Sequence, residues 1–313
     1  MTTNNKDKNI LVTGGAGFIG SHLVRRLLSD SYSVSVLLKN TTDTGRIKDL
    51  LSELKIVIDD MSDMDRLKKM LGEMKPYGIF HCAASNIKSG VSAPEDDLIE
   101  VNIGGTVHLI RALEDVDYKF FINSGSYLEY GTKQKPFKES DLCEPVEIYA
   151  ITKLAATLYC QSVARSNGKP IMTFRIFSPY GPEMEKGRLV YEVVRRAREN
   201  SEILLTKPET SRDFIFIDDI VDLYVEAMDK AFSLKGEIFN LGSGKAITLG
   251  YLVERTKRII VSDSPVTWGG AKDVAYDSGC QEADMDKTYS AFNWRPKHDI
   301  DAGIKSIADW FAL

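Results

Sequence analysis

The stretch Ile10-Leu-Val-Thr-Gly-Gly-Ala-Gly-Phe-Ile-Gly20 decides the fold. Ile10 to Val12 is a short apolar run with the character of a buried strand. Glycines follow at Gly14, Gly17 and Gly20, a Gly-x-x-Gly-x-x-Gly spacing, and an amphipathic run from Phe18 to Leu28 comes next with helical periodicity. Strand, glycine turn and helix together make a cradle for a dinucleotide. The first glycine forms the tight turn, the second lets the backbone approach a pyrophosphate, and the third lets the helix pack close to the strand. The helix N-terminus offers N–H groups and a partial positive charge to the phosphates.

Outward from this stretch, apolar strand-like runs alternate with helical patterns. Strands are predicted at 10–13, 34–38, 55–58, 78–82, 120–123 and 171–175, and helices at 18–28, 64–71, 97–113 and 149–165. That alternation predicts an α/β fold, a doubly wound parallel sheet of Rossmann type with helices on both faces. The rhythm breaks at Pro179, Gly181 and Pro182, and a helix is predicted over 189–198. Strand, helix and strand patterns at 214–217, 218–231 and 238–241 then read as a return to the sheet, and an amphipathic helix is predicted over 301–311. The expected organisation is a dinucleotide-binding domain over 1–178, to which 213–242 returns, and a smaller α/β substrate lobe over 179–313. The ligand crevice is expected at the C-terminal ends of the strands.

Composition narrows the function classes. The chain has 313 residues, 43% hydrophobic and 27% charged, the balance of a water-soluble globular protein. A net charge of −5 argues against nucleic acid as a partner. No apolar run approaches the roughly 20 residues of a membrane helix, so no membrane partner is expected. The first nine residues lack the apolar core of a signal peptide. Cys82, Cys143, Cys160 and Cys280 show no Cys-x-x-Cys spacing and have no histidine cluster beside them. Reduced thiols, no metal and a cytoplasmic setting are expected.

The chemistry-bearing signal is Tyr149-Ala-Ile-Thr-Lys153. Residues four apart share one face of a helix. A phenol is a poor base at its ordinary pKa, and a neighbouring ammonium favours its ionised form. Lys153 is expected to do this while holding the cofactor's ribose. A serine-bearing loop, Asn123-Ser-Gly-Ser-Tyr-Leu-Glu-Tyr-Gly131, follows the strand at 120–123. With these features the chain resembles the extended short-chain dehydrogenase/reductases, the nucleotide-sugar epimerase, dehydratase and reductase group. The resemblance runs over nearly the whole length. It takes in His81-Cys-Ala-Ala84, Asn102-Ile-Gly-Gly-Thr106, Ser124-Gly-Ser126, Arg175-Ile-Phe-Ser-Pro-Tyr-Gly-Pro182, Arg212-Asp-Phe214 and Asn293-Trp-Arg-Pro296.

The resemblance implies roles. Tyr149 is the general acid/base at the sugar oxygen, Ser126 hydrogen-bonds the same oxygen, and Lys153 tunes Tyr149. Gly14, Gly17, Phe18, Ile19, Gly20, Lys39, Asp60, Met61, His81, Ala83, Ala84, Asn102, Tyr149 and Lys153 fall at positions beside the cofactor. Asp60 falls where adenine is contacted, and Asn102 where the active-site helix is braced. His81 carries either a structural or a functional reading. Ser126, Tyr127, Ser178, Arg212 and Lys272 fall on the substrate side. Arg212 would grip the diphosphate of a nucleoside-diphosphate sugar, or else pair with Asp213 or Asp218. A homodimer is implied through helices 97–113 and 149–165.

Two departures sharpen the expectation. An NAD site wants an acidic residue about 20 residues beyond the glycines, and the chain has Val36-Leu-Leu-Lys-Asn40 there, with Arg46 close behind. The absent carboxylate and the two cations suit the 2′-phosphate of NADP, with NAD as the alternative. Tyr127 and Leu128 also stand where the group's dehydratases carry acids, and Glu129 comes one place late, which argues against 4,6-dehydration. The expectation is therefore a 4-keto-sugar nucleotide reductase. Its alternatives are a C4 epimerase with bound NAD and a non-catalytic nucleotide-binding sensor.

Overall fold

The computed structural model describes residues 5–88, 91–133, 136–271 and 281–312. Seven strands form one sheet: β1 (Asn9–Thr13), β2 (Ser33–Leu38), β3 (Lys55–Ile58), β4 (Gly78–His81), β5 (Phe121–Ser126), β6 (Ile171–Ile176) and β7 (Ile238–Leu241). Their order is β7-β6-β5-β4-β1-β2-β3, and every pairing is parallel. Side chains alternate between the two faces along each strand. Ile10, Val12, Val36, Phe80, Ile122 and Phe174 enter one apolar core. Leu11, Leu37, Ile79, Phe121 and Ile171 enter a second on the opposite face. Helices cover both faces, as a sheet of all-parallel strands requires.

The helices that matter to the site are α1 (Phe18–Ser29), α2 (Met64–Met74), α3 (Thr106–Ala112) and α4 (Ile148–Asn167). Chain order reverses between β1 and β4, so the loops leaving these neighbouring strands diverge and open a crevice at the sheet's C-terminal edge. The predicted helix 97–113 is not uniform. Glu95–Leu98 is α-helical, Ile99–Gly105 is wound as a π-helix, and α3 completes the run. Single π-turns concentrate at functional sites, and this one contains Asn102.

Beyond β6 the chain builds smaller sheets. Ser178–Tyr180 pairs in parallel with Ser211–Phe216, which pairs antiparallel with Ala246–Thr248. The strand expected at 214–217 as a return to the large sheet therefore lies elsewhere. The free edge of β6 is taken by β7, with Ile238 opposite Thr173, and Phe216 already caps the following helix, Ile217–Ala227. Ile203–Leu205 pairs with Val266–Trp268. Helices Leu189–Arg198, Leu249–Ile260 and Ile300–Trp310 pack together beside these strands. None of the described helices is long and apolar enough to cross a membrane.

Candidate active site

The glycine turn is set by close contacts that no side chain would survive. Gly14 has φ +68°, and a Cβ there would stand 2.6 Å from the Ala83 nitrogen. A Cβ on Gly20 would stand 2.1 Å from the Gly14 carbonyl oxygen. Gly17 donates its N–H to that same oxygen at 2.9 Å and begins α1 with no side chain capping the helix. Phe18 is buried and Ile19 half-buried at the helix start, so the helix presents backbone N–H groups at the crevice. Ala83 and Ala84, half-buried, follow β4 on the other side of the same opening.

His81 ends β4 and is fully partnered. Its Nδ1 lies 2.7 Å from Thr13 Oγ1 and its Nε2 2.9 Å from Thr106 Oγ1. Thr106 donates its only hydroxyl proton to the Asn102 carbonyl at 2.7 Å, so it accepts from His81, which carries its proton on Nε2. Burial, with Lys153 adding to it, pushes the imidazole down to about 3. His81 is a neutral structural hinge between β1, β4 and α3, and neither nitrogen is left for a cofactor. Asn102 is equally committed. Its amide accepts from Ser85 N at 2.9 Å and donates to Ser85 O and to Thr152 Oγ1, each at 3.0 Å. Thr152 lies on α4 beside Lys153, so Asn102 braces the helix that carries Tyr149 and Lys153.

Ser126 closes β5, and its hydroxyl accepts the Leu128 N–H at 3.2 Å. Tyr149 and Lys153 lie one turn apart on α4. The Ser126 hydroxyl interacts with the Tyr149 phenol and favours its ionised form. Burial nevertheless raises Tyr149 above the ordinary phenol range. Arg188 opposes that rise and Glu129 adds to it. Lys153 is buried, and its ammonium makes no hydrogen bond to any described residue. Burial lowers it from the usual ammonium range, against Glu129. Arg188, at the start of helix Leu189–Arg198, is one cation that favours the phenolate.

The remaining expected residues separate. Lys39 and Asp60 stand at the ends of β2 and β3 and pair at 3.3 Å, both about half-exposed. Partial burial pulls the Asp60 carboxyl up, but the Ser62 N–H and Lys39 outweigh it and hold it below the usual range. Arg46 donates to the Glu183 carbonyl at 2.8 Å and lies 3.6 Å from Glu185. Both cations read as available for a 2′-phosphate are thus engaged. Met61 is buried against Gly105 at the π-helix. Tyr127 donates to Gln281 Oε1 at 3.0 Å. Ser178 faces Phe214, and Arg212 sits opposite Ile247 in the small sheet. Asp213 is occupied by Ser243, Gly244 and Ala283, and Asp218 lies 3.8 Å from His22. Lys272 and Cys280 lie outside the described residues.

Sequence reasoning discounted Glu129 and gave Arg175 no role of its own. They form a 2.8 Å ion pair behind Ser126, buried on both sides. No local signal in the chain announces this pair, since its partners come from another strand and another helix.

The residues present fit a nicotinamide dinucleotide. The glycine cradle leaves room that any Cβ would fill, and one turn from Tyr149 stands a buried ammonium with no hydrogen bond to a described residue. Comparison with known proteins agrees. The profile of the NAD dependent epimerase/dehydratase family matches residues 10–242. A UDP-glucose 4-epimerase of Lactobacillus helveticus is 26% identical, with 96% of each chain covered. The UDP-glucuronic acid 4-epimerase of Bacillus cereus, solved with UDP-glucuronic acid and NAD, superposes with TM-score 0.87 at 25% identity, over 97% of this chain and 99% of that one. The UDP-glucose 4-epimerase of Thermotoga maritima, solved with UDP-glucose, gives 0.88 at 27% identity, over 97% and 98%. The chain belongs to the NAD dependent epimerase/dehydratase family.

Proposed function

We propose that this chain is a C4 epimerase of a UDP-sugar and works with tightly held NAD. The observation that carries the reading is geometric: Ser126 ends β5, and α4, which packs on β5, carries Tyr149 and Lys153 one turn apart, with no hydrogen bond from the Lys153 ammonium to a described residue, at the sheet edge that holds the glycine cradle. When bound, the nicotinamide supplies hydride acceptance and return at the sugar carbon. Tyr149 Oη takes the proton of the C4 hydroxyl and later gives it back. Ser126 Oγ donates to the same oxygen and holds it in line with the phenol. Lys153 is assigned to the ribose hydroxyls, and Arg188 to favouring the phenolate. Arg212 and Ser178 are assigned to the sugar-nucleotide side.

The engagement of Lys39 and Arg46 supports NAD over NADP, and a cofactor that is not exchanged suits an epimerase, which needs no net electrons. Glu129 is held by Arg175, Thr157 and Ser126, which leaves no acid after Ser126 for dehydration. This reading takes up the epimerase alternative in place of the reductase expected from sequence. Exposed Ile99, Ile151 and Leu158 on the outer surface of 95–112 and α4 support pairing with a second copy.

Heat-denatured protein is expected to release NAD, and incubation with UDP-glucose or UDP-glucuronate to yield the C4 epimer by NMR with no net change in absorbance at the nicotinamide band. Stoichiometric consumption of NADPH instead would return the reductase reading. Tyr149→Phe is expected to lower kcat by about 100-fold or more, and a fully active variant would remove Tyr149 from the mechanism.

A further inference from the structure

The corner at the end of β5 holds a carboxylate that the chemistry above does not use. Glu129 is 0% exposed. Its Oε1 accepts the Ser126 N–H at 2.8 Å and the Thr157 hydroxyl at 3.0 Å. Its Oε2 accepts Arg175 Nε at 2.8 Å. Arg175 comes from β6, lies 4.3 Å over the Tyr130 ring and donates to Cys143 Sγ at 3.1 Å. Thr157 lies on α4, one turn past Lys153 and two past Tyr149. One carboxylate therefore touches the strand end that carries Ser126, the helix that carries Tyr149 and Lys153, and the neighbouring strand.

Ser126 and Glu129 form a capping box over Tyr127–Tyr130. A capping box ties an acid to one N–H, and it requires neither full burial nor an arginine. Burying an ion pair has a desolvation cost that the mutual attraction only roughly offsets, and such pairs are best understood as devices that fix one arrangement. Here the arrangement fixed is the spacing of the two hydroxyls assigned to the sugar oxygen.

We infer that Glu129 is a positioning residue for the reaction: gripped by Arg175, it ties the Ser126 strand end to α4 and sets Ser126 against Tyr149. This rests on the reading of Ser126 and Tyr149 given above. The same carboxylate raises both the phenol and the Lys153 ammonium. The other groups facing them are known. Arg188 and Ser126 lower Tyr149, while Cys82 at the end of β4 and Cys160 on α4 raise Lys153, which in turn faces His81.

Three variants test it, with UDP-glucose and added NAD as the probe. Thr157→Val removes only the helix's hydroxyl to Glu129, Thr157→Ser keeps it, and Glu129→Gln removes the charge. The expected result is a kcat lowered about 10-fold in T157V and about 100-fold in E129Q with KM unchanged, and restored in T157S; small misplacements of reacting groups have effects of this size. Tyrosinate absorbance, read for each variant against its Tyr149→Phe counterpart so that the rest of the 13 tyrosines cancel, is expected to show Tyr149 titrating at lower pH in E129Q. Crystal structures are expected to show Ser126 displaced from Tyr149 in T157V and not in T157S. The titration and the structures need no turnover, so they judge Glu129 even if UDP-glucose proves not to be a substrate. Ser126 unmoved in both Thr157 variants, with Tyr149 titrating as in the parent, overturns the proposal. If E129Q does not fold, the Thr157 pair decides alone.

Discussion

Two acid–cation pairs stand at the same edge of the same sheet and behave as opposites. Lys39 and Asp60, at the ends of β2 and β3, meet at 3.3 Å with side chains 42% and 48% exposed. Arg175, within β6, and Glu129, just past β5, meet at 2.8 Å with side chains 3% and 0% exposed. Water screens the first pair, so its partners can exchange for a ligand at little expense. The second pair is closed in protein, and either partner alone would be a stranded charge. The edge is thus adaptable at the end assigned to the nucleotide and rigid at the end assigned to the reaction. That division suits an enzyme that must accept a large cofactor and then hold two hydroxyls to a fixed spacing.

The rigid pair gives the largest expected effect. Arg175→Met leaves Glu129 buried and unpaired, and should destabilise the fold by about 3–5 kcal/mol. Urea unfolding with an unchanged slope would measure it. Removing both charges, in Arg175→Met with Glu129→Leu, should recover much of the loss, because two apolar groups leave nothing stranded. A single variant within about 1 kcal/mol of the parent would erase the contrast between the two pairs.

His81 gives the next effect, and it depends on pH. Burial and Lys153 hold the folded imidazole at about 3, against an unfolded value of 6.5. Between those values the unfolded chain binds a proton that the folded chain refuses. The stability is therefore complete above about 6.5 and is lost progressively as pH falls toward about 3. At pH 5 the loss from this residue is about 2 kcal/mol. Urea midpoints at pH 8 and pH 5 read it, and His81→Gln should flatten the difference. An unchanged slope in that variant would place the acid sensitivity on the carboxylates instead.

What was legible in the sequence follows from how far the causes reach. The cradle at Gly14, Gly17 and Gly20 is a local backbone requirement, so its spacing carried both its place and its use. The apolar runs of β1 to β6 lie wholly on one strand each, and their bounds came within a few residues. Tyr149 and Lys153 share a helix, so their neighbourhood was readable, but the electrostatics around them was not. Arg188, a cation that lowers Tyr149, arrives from another part of the chain. Lys39 and Arg46 looked available because Asp60 and the segment at Glu183 and Glu185 are distant in sequence. Glu129 was discounted for being one place late, while its partners stand 28 and 46 residues away. The π-helix at Ile99–Gly105 has no periodic signature of its own; it shows only in where it turns Asn102.

The exposed pair gives the smallest effect and the most discriminating one. Lys39→Ala should change stability by no more than about 1 kcal/mol, since a screened surface pair contributes little. Its value lies in cofactor choice. If Lys39 stays with Asp60, the variant should bind NAD about as well as the parent, and the preference between NAD and NADP should shift by less than about tenfold, which corresponds to 1.4 kcal/mol. If Lys39 leaves Asp60 to hold a 2′-phosphate, a charge-assisted contact is lost, and NADP alone should weaken by more than that. Fluorescence titration with each dinucleotide separates the two outcomes. A selective loss of NADP would show that the open pair is a switch between cofactors, and would turn the adaptable end of the sheet from a tolerant edge into a specificity element.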